Sequence, residues 1–173
     1  MGRIKDMVGL ILCAGLGTRL KEETRDKPKC MVDVGGKPVL EHIATHMNKH
    51  GIWRIVVNLH SFPEVVMKYF GQRFMYLYEP VPVGEFATVS IVRRWFPNEV
   101  LVTLNGDTIT DLGLSEVVDR GWSGKCISDK TKRHMGTTIY FPGMEPEKTI
   151  PVDCEYWDMG RPEKLRLARE HFK

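Results

Sequence analysis

The apolar residues of this chain fall into short runs that alternate between two periods. Met7-Val8-Gly9-Leu10-Ile11-Leu12, Arg54-Ile55-Val56-Val57-Asn58-Leu59, Phe74-Met75-Tyr76-Leu77-Tyr78 and Val100-Leu101-Val102-Thr103-Leu104 are nearly continuous runs of strand length. Runs of this kind belong to strands buried on both faces. Between them the spacing turns helical. Leu40, Ile43, Ala44 and Met47 recur in a run opened by Pro38 and ended by Gly51, and residues 63–70 form a second run closed by Gly71. Ala87, Val89, Ile91 and Val92 mark a third helix over 85–95, broken by Pro97-Asn98. Proline at the start and glycine past the end are the expected punctuation. Met31 to Val34 reads as a short extended piece before a Gly35-Gly36 turn, Leu114 to Arg120 as a short helix, and Pro162 to Phe172 as a last helix. The stretch 121–150 is the least regular, with short strands at 126–128 and 137–141. This alternation predicts an α/β fold, a mostly parallel sheet covered on both faces. Right-handed crossovers then bring the loops after the first and fourth strands to one carboxyl edge.

Composition narrows the class without changing the fold. At 173 residues the chain can fill one domain with a sizeable core, and no linker long enough to divide it is visible. A hydrophobic fraction of 42% and a charged fraction of 27% are those of an ordinary globular protein. A net charge of +3 is mild and gives no reason to expect a nucleic-acid partner. No apolar run reaches membrane-spanning length, and Met1 to Asp6 leads directly into the first strand without a secretory pattern. Cys13, Cys30, Cys126 and Cys154 show no CxxC spacing, and Cys13, closing an apolar strand, reads as a core thiol. The expectation is a cytoplasmic protein without disulfides.

The chemistry concentrates after the first strand. In Leu12-Cys13-Ala14-Gly15-Leu16-Gly17-Thr18-Arg19-Leu20 two glycines let the backbone turn and present N–H groups to an anion. Thr18 adds a hydroxyl, Arg19 a planar fork and Lys29 a point charge, a set that suits a triphosphate. It is not a Walker A loop, because the only Gly-Lys pair, Gly36-Lys37, is followed by Pro38. Nor is it the dinucleotide fingerprint, since Leu20 stands where a third glycine belongs. At the end of the fourth strand, Asn105-Gly106-Asp107 is good turn chemistry and also puts a carboxylate at the ligand crevice. His42, His46 and His50 form an i, i+4, i+8 stripe of metal-compatible spacing; with no carboxylate or cysteine joining it, a polar helix flank is the favoured reading.

Three spaced blocks, Gly15 to Leu20, Lys27-Pro28-Lys29-Cys30-Met31 and Gly36-Lys37-Pro38-Val39-Leu40-Glu41-His42, resemble the sugar-phosphate nucleotidyltransferases, also called nucleoside-diphosphate-sugar pyrophosphorylases. Asp107-Thr108 resembles the family's Gly-Asp-Thr segment, and Asp158-Met159-Gly160-Arg161-Pro162-Glu163 its late Asp-x-Gly-Thr-Pro-Glu block, with Arg161 replacing threonine. The resemblance implies a Rossmann-like three-layer α/β/α domain of the nucleotide-diphospho-sugar transferase type over residues 1–173. It implies nucleotide binding by Leu12, Ala14, Gly15, Leu16, Gly17, Thr18, Gly84 and Asn105. Arg19 and Lys29 would be catalytic, gripping the β/γ- and α-phosphates, and Asp107 and Asp158 would hold Mg²⁺.

The implied reaction is attack by a sugar-1-phosphate oxygen on the α-phosphorus of a nucleoside triphosphate, releasing pyrophosphate. A phosphate nucleophile is already ionised at neutral pH, so no general base is needed, and catalysis reduces to positioning and charge neutralisation. The match is good over the first 112 residues and moderate at the end. Between them, 113–157 reads as a shortened acceptor-binding region. Glu147-Lys148-Thr149 is the only candidate for the family's Glu-Lys-Pro motif, and Gly84-Glu85-Phe86-Ala87 keeps only the first glycine of the family's base-reading loop. Lys125, Lys130, Lys132 and Arg133 are either a solvated surface or an electropositive lip for an anionic acceptor. Two rival acceptors remain open, a small alcohol phosphate such as phosphocholine and a pterin cofactor. A nucleotide-binding regulatory module without turnover is the reading from another class. The base, the sugar and the oligomeric state, homo-oligomer included, stay open.

Overall fold

A computed structural model describes residues 6–173, so that Met1–Lys5, read above as the lead into the first strand, lies outside the described residues. In chain order the strands are β1 (Met7–Leu12), β2 (Asp33–Val34), β3 (Lys37–Pro38), β4 (Arg54–Leu59), β5 (Met75–Tyr78), β6 (Val100–Asn105), β7 (Thr108–Thr110), β8 (Gly124–Ser128), β9 (His134–Tyr140), β10 (Lys148–Val152) and β11 (Tyr156–Asp158). The helices are α1 (Val39–Lys49), α2 (Pro63–Phe70), α3 (Glu85–Trp95), α4 (Leu114–Asp119) and α5 (Pro162–His171), and Thr18–Thr24 and Lys29–Met31 form 3-10 turns.

Seven strands make one sheet in the order β10-β8-β9-β6-β1-β4-β5. β1 lies between β4 and β6 and pairs parallel with both, and β4 pairs parallel with β5. β9 runs antiparallel to its two neighbours, β6 and β8. The mostly parallel sheet expected from the alternating runs is therefore present, with one reversed strand inserted in its second half.

The strand residues divide by parity onto two layers, as a period of two requires. Ile11, Ile55, Val57, Val102 and Leu104 face a core built with Leu40, Ile43 and Met47 of α1, Val66 and Phe70 of α2 and Val117 of α4. Val8, Leu10, Val56 and Leu101 face the other way, onto Val89 and Val92 of α3. Helices on both faces explain why the central strands read as continuous apolar runs rather than alternating ones.

Local differences have local causes. Met31 is not extended: Met31 N–H donates to the Pro28 carbonyl and Val32 N–H to that of Lys29, a tight turn that buries Cys30 and Met31. Pro38 stands just before α1, paired with Asp33 across a hairpin whose Gly35 and Gly36 both have positive φ. That is the backbone a two-residue hairpin turn demands. The run at 148–152 escaped notice because Pro151 interrupts it, and β10 is accordingly the sheet's edge strand. β7 and β11 are three-residue strands that pair antiparallel, with Asp158 opposite Thr108.

Candidate active site

The β1–β6 pairing sets Leu12 opposite Asn105, so the loops after both strands leave the same carboxyl edge. Gly106 N–H donates to the Leu12 carbonyl at 2.9 Å, and a Cβ at Gly106 would stand 2.5 Å from Cys13 Sγ and 2.7 Å from that carbonyl. Only glycine lets β6 close so tightly on β1, and the next residue is Asp107. The turn chemistry and the carboxylate placement of Asn105-Gly106-Asp107 are thus one feature.

Beyond β1 the chain turns at Gly17, which is left-handed with φ 66°. Thr24 Oγ donates to the Gly17 carbonyl at 3.0 Å and closes residues 18–24 back on the loop. Leu20 anchors it in the core. Pro28 is extended and delivers Lys29 to the first position of a turn whose next two residues are buried. Lys29 Nζ donates to the Asp107 carboxylate, with side chains only 13% and 24% exposed. That burial fixes where the ammonium points.

Two cavities adjoin at this edge. The first, of about 360 Å³, is lined by Leu12, Ala14, Gly15, Arg19, Lys29, Asn58, Glu79, Gly84, Glu85, Asn105 and Asp107, with Cys13, Cys30, Pro82 and Gly106 completing the wall. The second, of about 250 Å³, shares Arg19, Asn105 and Asp107 with the first. It adds Thr108, Arg133, His134, Met135, Gly136, Tyr156, Asp158 and Lys164. Of the residues singled out from sequence, Leu12, Ala14, Gly15, Gly84, Asn105, Arg19, Lys29, Asp107 and Asp158 line one or both cavities. Leu16 is exposed, and Gly17 and Thr18 lie with it on the outer turn of the loop, away from the cavity walls.

Asp158 accepts hydrogen bonds from Lys164 Nζ at 2.6 Å and Gly160 N–H at 2.7 Å. Partial burial pushes its carboxyl up, but the Lys164 and Gly160 hydrogen bonds and the charges of Lys164 and Lys29 outweigh that and hold it below the ordinary carboxylate value. Met159 N–H donates to the Asp107 carbonyl at 2.8 Å, which ties β11 to the end of β6 and brings two carboxylates 51 residues apart in sequence to one cavity. Among the described residues Arg19 and Arg133 have no side-chain hydrogen bond or ion pair, and both face the second cavity.

The basic patch thereby divides. Lys130 pairs with Asp153 and Lys132 with Asp129, Lys125 lines a separate cavity against α3, and Arg133 alone reaches the site. Lys148, the candidate from Glu147-Lys148-Thr149, stacks 4.7 Å from the Trp122 ring, away from both cavities. The histidine stripe is engaged in packing. Nε2 of His42 lies 2.8 Å from the Val34 carbonyl, Nε2 of His46 2.9 Å from that of Leu112, and His50 Nδ1 3.1 Å from Ser115 Oγ. Cys13 is buried as expected, and burial first of all pushes its thiol well above the usual range.

Sequence reasoning passed over Asn58 and Glu79. Cys13 N–H donates to Asn58 Oδ1 at 2.7 Å, and Asn58 Nδ2 donates to Glu79 Oε1 at 3.0 Å. Thr88 Oγ donates to the same oxygen at 2.6 Å, and Val83 N–H to Glu79 Oε2 at 3.1 Å. This buried network joins the start of the loop after β1 to residues 80–84 and the first turn of α3. Its signal was Asn58, a polar residue inside the apolar run 55–59.

Over 116 residues the chain is 37% identical to D-glycero-alpha-D-manno-heptose 1-phosphate guanylyltransferase of Campylobacter jejuni, covering 64% of this chain and 52% of that protein. Over 71 residues it is 44% identical to glucose-1-phosphate cytidylyltransferase of Salmonella typhimurium, covering 41% of this chain and 28% of that protein. The chain thus spans about half the length of the first relative and less of the second. HddC from Yersinia pseudotuberculosis, solved complexed with GMP-PN, shares the fold with a TM-score of 0.74 at 22% identity, over 98% of this chain and 100% of that one. Residues 9–114, from the first strand through the glycine-containing loop after it to the segment after Asp107, match the model of the MobA-like NTP transferase domain, and the chain belongs to that family.

Proposed function

We propose that the protein transfers a nucleoside monophosphate from a nucleoside triphosphate to a sugar-1-phosphate, giving a nucleoside-diphosphate sugar and pyrophosphate. The carrying observation is the pair of adjoining cavities that share Arg19, Asn105 and Asp107. A transfer between two bound phosphates needs two compartments with cations where they meet. The first, walled by the phosphate loop and by Gly84 and Glu85, suits the triphosphate; the second suits the acceptor.

Arg133, Arg19 and Lys164 give the second cavity its anion preference, in place of the lysine that Lys148 does not supply. Arg133, His134, Met135, Gly136 and Tyr156 all come from 113–157, which supports reading that stretch as the acceptor side of a single domain. The guanylyl and cytidylyl relatives support a base with an exocyclic amino group, which the carboxylate of Glu85 on the first cavity can accept from.

Mg²⁺ fits the residues present. Asp107 and Asp158 offer hard oxygens to one cavity, and a Mg²⁺ ion takes one or two carboxylates and completes its shell with phosphate and water. Bound there, it would neutralise phosphate charge and orient the triphosphate. The chain's own residues do the remaining work. Arg19 grips the outer phosphates through its fork, and Lys29, aimed by Pro28 and its buried turn, meets the charge that grows on the α-phosphate as the bond to pyrophosphate breaks. The acceptor oxygen forms the new P–O bond without losing a proton, so no general base is called for.

Pyrophosphate release measured with GTP, CTP, UTP, dTTP and ATP against a panel of sugar-1-phosphates and phosphocholine tests the proposal. Turnover with a sugar-1-phosphate upholds it. Turnover with phosphocholine alone moves the acceptor class, and triphosphate binding without turnover under any pairing reduces the protein to a nucleotide-binding module.

A further inference from the structure

The segment Thr18–Thr24 is a 3-10 turn held only loosely by its own backbone. Lys21 breaks it with φ 45° and ψ −105°, and Lys21 and Glu22 are exposed. Its own ties are few: the buried Leu20, whose N–H donates to the Gly17 carbonyl at 3.1 Å, the Thr24 hydroxyl shared between the Gly17 and Lys21 carbonyls, and a long bond from Arg25 N–H to the Glu22 carbonyl at 3.4 Å. A further tie comes from the far end of the chain. Arg169, in the last turn of α5, donates from both terminal nitrogens to the two Glu23 carboxylate oxygens, at 2.6 and 2.9 Å. Its Nε donates to the Asp33 carbonyl at 3.0 Å. All three nitrogens of the guanidinium therefore donate, on two different acceptors, so its orientation is fixed as a single bond could not fix it.

The other end of the same helix reaches the opposite side of the site. Lys164, in its first turn, donates to Asp158. α5 thus spans from the cavity carboxylate at one end to the phosphate-loop segment at the other.

We propose that Arg169 is a positioning residue: through Glu23 it clasps the 18–24 segment onto α5 and so holds Arg19 in place for the outer phosphates of the triphosphate. The force passes through adjacent groups. Glu23 is fixed by Arg169, its neighbour Thr24 holds the Gly17 carbonyl, and Gly17 stands two residues before Arg19. Hydrogen bonds from Arg169 hold the Glu23 carboxyl below its ordinary value despite some burial, consistent with a fork that stays formed. Free of partners itself, Arg19 would otherwise spend binding energy on ordering its loop with each nucleotide bound. The role assigned to Arg19 rests on the proposed function; the clasp does not.

Two readouts test it on the full chain, each applied to Arg169→Gln, Glu23→Gln and the exchanged pair Glu23→Arg with Arg169→Glu. Amide hydrogen exchange over 17–24 should rise about fivefold in either single variant, the worth of one bidentate surface pair, while β1 and β6 stay protected. Affinity for tripolyphosphate, which probes the loop without a base, should fall by about the same factor and recover in the exchanged pair. Arg169→Lys, keeping the charge without the fork, should fall between, and serves if Arg169→Gln does not fold. Unchanged exchange over 17–24 in folded single variants overturns the clasp. A loosened loop in a protein whose wild type binds no tripolyphosphate upholds the clasp and overturns the nucleotide reading.

Discussion

The ammonium of Lys29 meets the carboxylate of Asp107, joining the turn after the phosphate loop to the end of the fourth parallel strand. In sequence these residues stand 78 positions apart and belong to different motifs. In space they are one charge pair, and each neutralises the other.

Replacing Asp107 by Asn tests that arrangement. The amide oxygen can still accept from Lys29, so the fold should survive with a loss of about 1–3 kcal/mol. The negative charge does not survive, and on the proposed metal role turnover should fall by orders of magnitude, because Mg²⁺ would lose a ligand. Thermal denaturation and pyrophosphate release, measured on one preparation, separate the two effects. Near-normal turnover in a folded Asp107→Asn protein would falsify the metal assignment.

Arg19 and Lys29 should divide the triphosphate. Arg19→Ala is expected to weaken nucleotide binding as well as turnover, since its fork has no protein partner to lose among the described residues. Lys29→Ala should lower turnover more than binding, by about a hundredfold or on the order of 3 kcal/mol, if its partner gains charge mainly in the transition state. Single-turnover rates beside nucleotide titrations distinguish the two. A Lys29→Ala protein that turns over normally once saturated removes Lys29 from the α-phosphate.

The elements that carry these residues were legible because their burial is two-sided and continuous. β1, β4 and β6 could hardly be read otherwise, and once they are parallel the crossover rule fixes the edge where Arg19 and Asp107 meet. What escaped was whatever depends on partners distant in sequence. β7 and β11 have three residues each and exist only as a pair. The Asn58–Glu79 network needs β5 beside β4 before either residue has a reason to be polar. Arg133 was visible only as one cation among four, and nothing local told it from Lys130 or Lys132, whose neighbouring acids neutralise them.

Acid should erode stability in two stages. Burial, with the His50 and Lys49 charges adding to it, holds the His46 ring below its ordinary value of 6.5, against the opposing pull of the Leu112 carbonyl. A base whose folded value is depressed binds fewer protons folded than unfolded, so its contribution is full above 6.5 and lost as pH falls below it. Glu41 is held below 4.5, chiefly by hydrogen bonds from Arg73, and Glu23 likewise by Arg169. Their contributions are full above 4.5 and lost as pH falls through their folded values. His46→Gln should flatten the upper stage of a stability–pH profile while leaving metal content and turnover unchanged. Loss of a stoichiometric zinc in that variant would make the stripe a metal site after all.

Thr137 in β9 has the one buried side-chain polar atom without a hydrogen-bond partner among the described residues. Its hydroxyl lost water on folding and gained nothing. Thr137→Val keeps the shape and β-branching and removes that cost, so the variant should gain about 1 kcal/mol. Chemical denaturation reads the gain directly; a destabilised variant would mean that the hydroxyl has a partner, such as an ordered water.

Glu79 offers the sharpest test of how the first cavity is held. Its carboxylate is 4% exposed and accepts from Asn58, Thr88 and the Val83 N–H, with no cation in hydrogen-bond contact. Three donors converge on a group that must be an acceptor on both oxygens. Glu79→Gln keeps the size but turns one terminus into a donor. Whichever way the amide lies, an N–H₂ then faces Val83 N–H, or Asn58 Nδ2 and the Thr88 hydroxyl. Leaving one or two buried donors unmet costs about 1–3 kcal/mol each. The Thr88 hydroxyl can turn to the Gly84 carbonyl, 3.1 Å away, so the lighter outcome is an amide that keeps its oxygen toward Val83. Because Asn58 also holds Cys13 N–H, the disturbance should reach the start of the phosphate loop as well as residues 80–84. The expected result is a lower midpoint of unfolding together with a raised KM for the nucleotide, kcat at saturation falling less. Asn58→Ala should do the same through the other end of the network, and the double variant should cost less than the sum, since both remove one chain of hydrogen bonds. Additive losses in that cycle would mean that Asn58 and Glu79 act separately and that the network does not brace the cavity.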